Sequence, residues 1–266
     1  MKKVIIIYIL AVLISCSSSN KEFKEGLYYY DNLNYYRAIQ SFTKAIEKDS
    51  DNPEYYYCRG ISYKEFGQYD RAVHDLEKAI NLSKINAEVY VNLGDAYFKL
   101  NEIMKAKKNF LKALSINPSV RNANYNLAVI YFNTGLVEEA VSYLDLEIKI
   151  NPNDYDSYYL RSKVLYDQGE IKQALSDINK AIFLSKDHIE FYNLRSSIYG
   201  AMGKYEEAVK NSSQAIKLDS NQYLAYYNRA SAYNSLGLVE EACKDLKKAI
   251  ELGAQDIPDE VAEYCE

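Results

Sequence analysis

Residues 189–222 read IEFYNLRSSIYGAMGKYEEAVKNSSQAIKLDSNQ, and residues 223–256 follow without a break as YLAYYNRASAYNSLGLVEEACKDLKKAIELGAQD. The two segments align from end to end without a gap, and an alanine near the middle occupies the same position in both. That alanine recurs through the chain at the same interval, at Ala38, Ala72, Ala106, Ala140, Ala174, Ala208 and Ala242. A fixed period of about 34 residues is the sequence signature of a repeat protein.

Each repeat carries three further recurring positions. The eighth residue is always small, the eleventh is tyrosine except at Leu165, and a second alanine stands late in the repeat except at Glu147. The repeats are 19–52, 53–86, 87–120, 121–154, 155–188, 189–222 and 223–256. Because a small residue lets two helices approach closely, this spacing predicts a pair of packed helices in every repeat.

This signature resembles the tetratricopeptide repeat family, whose repeat has the same length and has small, aromatic and alanine positions in the same order. The resemblance covers residues 19–256, although the proline that often closes a family repeat is present only at Pro118 and Pro152. It implies an all-α fold, a right-handed α-solenoid of seven helix-turn-helix repeats whose first helices line an inner groove. Residues 257–266 have apolar residues at helical spacing and are predicted to form a short C-terminal capping helix.

The turn inside each repeat is marked by glycine in five repeats. Glycine just past a helix end adopts the left-handed conformation that closes the helix without steric cost. Asn101 and Leu33 occupy this position in the third and first repeats. Asparagine tolerates the conformation but leucine does not, so we expect the first turn to differ from the others.

The composition favours helices and argues against nucleic-acid binding. Among 266 residues there are only 10 glycines and 4 prolines, so helix breakers are rare. The chain has 28 tyrosines and no tryptophan, and its formal net charge is −5. A mildly acidic chain without a cluster of lysine and arginine lacks the basic surface that binds phosphates. We therefore expect no nucleic-acid partner.

The first residues, MKKVIIIYILAVLISC, have the pattern of an export signal. Lys2 and Lys3 precede an uncharged apolar run at 4–14, which is shorter than the roughly 20 residues that span a bilayer but suits a secretory signal. The segment LISC at 13–16 resembles the lipobox of bacterial lipoproteins, which implies cleavage before Cys16 and lipidation of its thiol. The alternatives are an ordinary signal peptide, or a short anchor, with an incidental cysteine.

Residues 1–15 are accordingly predicted to be a lipoprotein signal peptide, and residues 16–20 the lipidated cysteine and its linker. Ser17, rather than aspartate, after Cys16 resembles the pattern of lipoproteins exported to the outer membrane of Gram-negative bacteria. Several acyl chains anchor a protein stably where one binds only marginally. We expect a membrane anchor through Cys16 and a place in the cell envelope, at the outer membrane facing the periplasm.

The candidate groove residues lie on the first helix of each repeat. In the tetratricopeptide family the fifth position of this helix faces the inner surface, and the same face continues one or two turns further on. The resemblance places there Tyr30, Tyr57, Asn92, Phe98, Tyr125, Asn126, Phe132, Tyr159, Tyr166, Tyr227 and Asn228. The asparagines resemble the family's ladder that binds the backbone of an extended peptide, and tyrosine offers contact area plus a hydroxyl. The alternative, that many of these tyrosines only pack between neighbouring hairpins, remains open.

These features predict a non-enzymatic scaffold or adaptor that binds a protein or an extended peptide in the groove. A second hypothesis is binding of cell-wall glycans, with tyrosine faces stacking on sugars. Glycan binding requires exposed rings, so the exposure of Tyr57, Tyr125 and Tyr159 bears on it directly.

The sequence offers little for catalysis or for a cofactor. His74 and His188 are the two histidines, and neither has cysteine or carboxylate partners at ligand spacing, so we predict no metal site. No glycine-rich phosphate loop, nucleophile elbow or zinc-protease motif occurs. We expect no enzymatic activity and no cofactor, and the residues after the last repeat are too few for an added catalytic domain.

Three cysteines follow Cys16. Cys243 lies on the second helix of the last repeat and Cys265 on the predicted capping helix, about equally far from the turn near residue 255. An antiparallel hairpin could therefore bring them together in a disulfide. The alternative is two small, half-buried thiols, and Cys58 is predicted to serve in packing.

Overall fold

The structure is all-helical and follows the repeat pattern. This computed structural model describes residues 21–82, 86–254 and 265, and within them it has fourteen helices and no strand. The helices are α1 (Lys21–Asp31), α2 (Tyr35–Lys48), α3 (Pro53–Glu65), α4 (Tyr69–Leu82), α5 (Ala87–Lys99), α6 (Ile103–Ile116), α7 (Ala123–Asn133), α8 (Val137–Ile150), α9 (Tyr155–Asp167), α10 (Ile171–Leu184), α11 (Ile189–Ala201), α12 (Tyr205–Leu218), α13 (Tyr223–Ser235) and α14 (Val239–Glu251). Two helices fall in each repeat, so the prediction of seven helix-turn-helix repeats is confirmed.

Contacts divide the chain into two compact units, residues 1–130 and 131–266. The N-terminal unit contains α1 to α6 and most of α7, and the C-terminal unit contains the end of α7 and α8 to α14. The predicted signal peptide, Cys16 with its linker, and the capping helix at 257–266 apart from Cys265 lie outside the described residues.

Within each compact unit, neighbouring repeats stack in chain order. The second helix of one repeat packs on the first helix of the next, as α2 packs on α3 and α10 on α11. The odd-numbered helices also contact one another, α1 with α3 and α3 with α5 in the first unit, α9 with α11 and α11 with α13 in the second. Each hairpin buries its apolar face against a neighbour, which a single hairpin could not do.

The two helices of a hairpin approach most closely at the small eighth residue of the repeat. A Cβ atom at Gly26 would lie 2.5 Å from Phe42 Cε1, and one at Gly94 would lie 2.6 Å from Phe110 Cε1. Both phenylalanine side chains are fully buried. Glycine is therefore required at these two positions because the ring on the opposite helix occupies the space of a side chain.

The residue across the hairpin becomes smaller where the eighth residue is larger. In the fifth and sixth repeats the eighth residues are Ser162 and Ser196, and Ile178 and Ser212 replace the phenylalanine on the second helix. Each eighth-position serine donates a hydrogen bond to a backbone carbonyl of that helix, at 2.8 and 2.9 Å. Volume lost on one helix is gained on the other, so the core stays filled.

The turns between paired helices share one backbone conformation. The five expected glycines have φ between 70° and 81°, and Asn101 has φ 61°. Leu33 also adopts φ 59°. The amides of Leu33 and Asn34 donate to carbonyls near the end of α1 at 2.9 and 2.8 Å, as in the glycine-containing second turn, at 3.0 and 2.8 Å. The expectation that the first turn differs is wrong, because the hydrogen bonds and the packed helices determine the turn despite the strain on leucine.

Arginine at the seventh position of four repeats links three helices, an arrangement we call an arginine rung. Its Nε donates to the residue 16 positions later, on the second helix of the same repeat, and its Nη1 to the residue 16 positions earlier, on the second helix of the preceding repeat. In the second repeat, Arg59 Nε lies 2.6 Å from Asp75 Oδ2, and Nη1 lies 3.2 Å from Thr43 Oγ1. The four arginines are Arg59, Arg161, Arg195 and Arg229.

A tyrosine at the fourth position of the repeat faces each of these guanidinium groups. The distances from the arginine Cζ to the ring centroid are 5.6 to 5.7 Å, for Tyr56, Tyr158, Tyr192 and Tyr226. At this separation the cation is attracted by the ring face. Part of the high tyrosine content is therefore structural.

Gly94→Ala should lower the free energy of unfolding by about 1–3 kcal/mol, because the added methyl group overlaps the Phe110 ring. The double variant Gly94→Ala/Phe110→Leu should recover part of the loss, since Ala230 and Leu246 occupy these positions in the seventh repeat. Gly60→Ala should cost less, because its Cβ would lie 3.0 Å from the Leu76 side chain and 3.4 Å from the Ala72 carbonyl oxygen, farther than the ring at Gly94. Chemical denaturation measures all three, and a double variant no more stable than Gly94→Ala would contradict the packing argument.

Leu33→Gly should raise the free energy of unfolding by about 0.5–1 kcal/mol, because it removes the left-handed strain while glycine's own entropy cost offsets part of the gain. The leucine side chain is 49% exposed, so little apolar contact is lost. Leu33→Ala is the matched control, since it removes the same side-chain contacts but keeps the strain. Thermal and urea denaturation measure both variants, and equal stabilities would refute strain at this turn.

Candidate functional site

The candidate groove residues all lie on odd-numbered helices, which contact one another within each compact unit. All of them are half-buried. Neighbouring atoms therefore restrict each side chain while part of it still faces solvent. Such restricted groups lose less conformational entropy when they bind a ligand.

In the N-terminal unit, a hydrogen-bonded cluster links three successive odd-numbered helices. It consists of Tyr57 and Lys64 on α3, Asn92 and Asp95 on α5, and Asn126 on α7, and we call it the amide patch. Lys64 Nζ donates to Asn92 Oδ1 at 2.7 Å and lies 3.5 Å from Asp95 Oδ2. Asn126 Nδ2 donates to Asp95 Oδ1 at 2.6 Å. The patch thus spans the first helices of the second, third and fourth repeats.

The side-chain amide of Asn92 is held in one orientation by its surroundings. Its Nδ2 donates to the Glu88 carbonyl oxygen at 2.9 Å and approaches the Tyr57 hydroxyl oxygen at 3.4 Å. Its Oδ1 points to Lys64. The structure therefore brings together Tyr57, Asn92 and Asn126, three of the residues that the family resemblance placed on one face.

The charges in this region are partly desolvated. Burial raises the pKa of the Asp95 carboxyl group above its ordinary value, although the Lys64 ammonium group opposes the shift. Burial also raises the pKa values of Tyr30 and Tyr57 well above their ordinary value, and the nearby Glu65 carboxylate contributes at Tyr30. Both phenol groups are therefore neutral near pH 7 and can donate a hydrogen bond.

The sequence analysis did not identify Lys64 and Asp95 as site residues. Lys64 stands one repeat after Tyr30 and one repeat before Phe98, so the repeat period could have assigned it to the same face. Asp95 follows Asn92 by three positions, a spacing that places two side chains on one face of a helix.

In the C-terminal unit the corresponding face is mainly aromatic. The rings of Tyr159 and Phe191 lie 5.0 Å apart, and burial raises the pKa of Tyr159. Lys163 Nζ lies 5.6 Å from the centroid of the Phe132 ring. These contacts connect side chains on the first helices of neighbouring repeats, in a face that carries fewer hydrogen-bonding groups than the amide patch.

The Asn228 side chain is hydrogen-bonded to the backbone of the preceding repeat. Its Nδ2 donates to the backbone carbonyl of Asn193, one repeat earlier, at 3.4 Å. The Asn193 side chain is buried, and its Oδ1 accepts no hydrogen bond from the described residues. Tyr227 is half-buried on the same helix as Asn228.

Several groove tyrosines also pack against the hydrophobic core. Tyr30 and Tyr57 contact the buried cluster of the first two repeats, and Tyr159 and Tyr166 contact that of the fifth and sixth. Part of the surface of each of these four tyrosines is therefore used in packing, as the alternative interpretation of the groove tyrosines expects. Tyr57, Tyr125 and Tyr159, the rings on which glycan stacking depends, are half-buried.

The structure also brings together Cys243 and Cys265. Their sulfur atoms are bonded at 2.08 Å, with a Cα–Cα distance of 5.2 Å. Cys58 is a buried thiol near the core of the first two repeats. The bonded pair joins α14 to residue 265 near the end of the chain.

The described residues contain neither a metal-binding cluster nor a membrane-spanning helix. Within 21–82, 86–254 and 265, no group of three or more histidine, cysteine, aspartate and glutamate side chains is arranged to hold a metal ion. None of the helices described above has the length and apolar character needed to cross a bilayer.

His188 packs against the rings of Tyr155 and Phe191, at centroid distances of 4.9 and 4.6 Å.

Stacked helical hairpins with polar and aromatic side chains along their first helices define an all-α repeat protein of the interaction-scaffold type. Family models described as tetratricopeptide or TPR repeats match residues 41–74, 62–101, 87–120, 122–154, 155–188, 197–237 and 223–256. These matches cover more than half of the chain, which therefore belongs to the tetratricopeptide repeat family.

Several solved structures share the fold. The C-terminal part of a TPR repeat-containing protein from Cytophaga hutchinsonii is 19% identical, with 92% of this chain and 99% of that chain covered and a TM-score of 0.69. PilF from Pseudomonas aeruginosa is 17% identical, with coverages of 77% and 93% and a TM-score of 0.70. YrrB, described as a TPR protein with an unusual peptide-binding site, is 23% identical, with coverages of 70% and 96% and a TM-score of 0.56. No curated protein matches the chain significantly.

Proposed function

We propose that this protein is a non-enzymatic scaffold that binds an extended peptide segment of a partner protein at the amide patch. The observation that carries the proposal is the hydrogen-bonded cluster of Lys64, Asn92, Asp95 and Asn126 across three successive odd-numbered helices. Tetratricopeptide repeats are generally protein-interaction modules, and YrrB, a structural neighbour, is described as having a peptide-binding site.

The two asparagines supply the groups that a peptide backbone needs. Asn126 uses one amide hydrogen on Asp95, so its second amide hydrogen and its Oδ1 are available among the described residues. Asn92 Oδ1 accepts from Lys64 and has a second lone pair. Asn126 can both donate and accept, so it can pair with one peptide unit of an extended strand. Asn92 can accept from a second backbone N–H group, because both of its amide hydrogens are already bonded.

The flanking aromatic residues give the patch a basis for side-chain selection. Tyr30 and Phe98 stand at the same repeat position as Lys64, on α1 and α5, and both are half-buried. Alternate side chains of an extended peptide point to the same side. Apolar or aromatic side chains of the ligand would therefore contact these rings while its backbone contacts the asparagines.

The double variant Asn92→Ala/Asn126→Ala should lower the affinity for peptides by about 30-fold, since two hydrogen bonds of about 1 kcal/mol each are lost. Peptides are first enriched from a random dodecamer phage library on the full chain kept in mild detergent. Fluorescence anisotropy then measures the affinity of the best sequence for each variant. Asn153→Ala, a change to an exposed asparagine in a turn, is the matched control and should leave the affinity unchanged.

Methylation of alternate backbone nitrogens in the enriched peptide provides a second measurement. It removes backbone donors without changing side chains, so the affinity should fall at least tenfold if the asparagines bind backbone. Full affinity of the methylated peptide, or of the double variant, would contradict the site. Binding to isolated cell-wall glycan together with failure to enrich peptides would favour the glycan hypothesis.

We also propose that the scaffold is tethered to the bacterial cell envelope through lipid on Cys16, with the repeats facing the periplasm at the outer membrane. The support is the sequence of residues 1–16, with its two lysines, its apolar run and LISC at 13–16. Because several acyl chains hold a protein stably on a bilayer, the peptide-binding repeats would act close to the membrane surface.

Metabolic labelling with an alkyne fatty acid tests the anchor. Wild-type protein expressed in a Gram-negative host should carry the label and float with membranes, and Cys16→Ala should lose both properties. Cys58→Ala is the control for the thiol chemistry and should retain the label. Equal labelling of wild type and Cys16→Ala would refute Cys16 as the lipidated residue.

A further inference from the structure

The third repeat lacks an arginine rung although the residues that would accept it are present. Leu93 stands at the seventh position, which Arg59 occupies in the preceding repeat. The positions 16 before and 16 after it carry Glu77 and Asn109, a carboxylate and an amide. In the other rungs these two positions provide the oxygen atoms that accept from the guanidinium group.

Asn109 has the same orientation as the asparagine of a filled rung. In the sixth repeat, Asn211 Nδ2 donates to the backbone carbonyl four positions earlier at 2.7 Å, and its Oδ1 accepts from Arg195 Nε at 2.7 Å. Asn109 Nδ2 likewise donates to the carbonyl of Lys105 at 2.9 Å. Its Oδ1 is therefore presented in the same way, with no donor among the described residues.

Glu77 is exposed and is held by one hydrogen bond. Its Oε1 accepts a hydrogen bond from the Tyr97 hydroxyl group at 2.5 Å. Burial and this hydrogen bond raise the pKa of Tyr97 to about 12, so the hydroxyl group remains a donor at neutral pH. No described residue donates to the second carboxylate oxygen of Glu77, which can accept from another donor.

An open cavity of about 590 Å³ lies at this position. Its wall includes Tyr90, which stands at the fourth position of the repeat, where a tyrosine ring faces the guanidinium group in all four filled rungs. The lining residues are Glu77, Ile80, Asn81, Tyr90, Leu93, Lys108, Asn109, Leu111 and Lys112. None of them belongs to the amide patch.

Two lysines at the cavity do not prevent a cation from binding. Lys108 and Lys112 are exposed and line the wall. Lys244 and Lys248 occupy the same two positions in the seventh repeat, where Arg229 is nevertheless bound. Long lysine side chains can keep their ammonium groups in solvent, away from a bound guanidinium group. In the seventh repeat Lys248 is also paired with Glu251 at 2.9 Å, whereas Ser115 stands at that repeat position in the third repeat.

We propose that this cavity, the third-rung cavity, binds an arginine side chain of a partner polypeptide. The guanidinium group lies over the Tyr90 ring and donates to Glu77 and to Asn109 Oδ1, as the chain's own arginines do in the filled rungs. A planar guanidinium group with donors on two sides fits acceptors on two helices, whereas an ammonium group does not. The site uses other residues than the proposed peptide site and does not depend on it.

The test uses capped pentapeptides, acetyl-AARAA-amide and its lysine and citrulline counterparts, with the full chain labelled at leucine methyl groups. The arginine peptide should shift the NMR signals of Leu93 and Leu111, and it should bind at least fivefold more tightly than the other two. Glu77→Gln should weaken its binding about fivefold. Leu93→Arg should fill the cavity from within, abolish binding and raise the melting temperature.

Leu93→Met is the matched control, because it keeps an apolar residue of similar size and should retain binding. Equal affinities for the arginine and lysine peptides, or no shift with either peptide, would overturn the proposal. Undiminished binding to Leu93→Arg or to Glu77→Gln would overturn it as well. If free arginine bound more tightly than the capped peptide, the proposal that the bound arginine belongs to a partner polypeptide would be contradicted.

Discussion

The packing of every hairpin in this protein is limited by how closely its two helices approach each other. At Gly26 and Gly94 the ring on the second helix fills the space that a Cβ would take. At Ser196 the opposite residue is small and the contact becomes polar, with Ser196 Oγ and Ser212 Oγ 2.6 Å apart. This exchange of volume keeps the core filled from one repeat to the next, so each hairpin presents a similar surface to its neighbour.

Stacking of the hairpins depends on buried polar groups as well as apolar contacts. Asp75 and Asp245 are almost fully buried, and each is paired with an arginine through two hydrogen bonds. Such a pair is costly to desolvate. It joins the two helices of one repeat, and the Nη1 hydrogen bond of the same arginine joins them to the preceding repeat. Arg195 has only neutral acceptors, and burial accordingly lowers its pKa.

The abundant tyrosines divide into groups with different surroundings. Those at the fourth position face guanidinium groups in the rungs, and those at the twelfth position, such as Tyr30 and Tyr166, lie on the first-helix face while contacting the core. A large ring with a polar end can serve both the interior and a binding surface. Half-burial of the amide patch follows from the same stacking, because each first helix covers part of the side chains on the preceding one. The patch is consequently ordered before a ligand arrives.

The repeat, the helices and the glycine-containing turns could be predicted from the sequence, because these follow from local rules that recur in every repeat. The sequence alone misjudged Leu33, since the packed helices on both sides impose a left-handed conformation that the residue alone disfavours. It placed Tyr57, Asn92 and Asn126 on one face but did not show that Lys64 and Asp95 connect them. The sequence analysis also did not predict the arginine rungs or the third-rung cavity, although the arginines and their acceptors recur at a regular spacing in the sequence. These hydrogen bonds could be identified only in the folded chain. They join side chains 16 to 35 positions apart, and their formation depends on how neighbouring helices and hairpins pack.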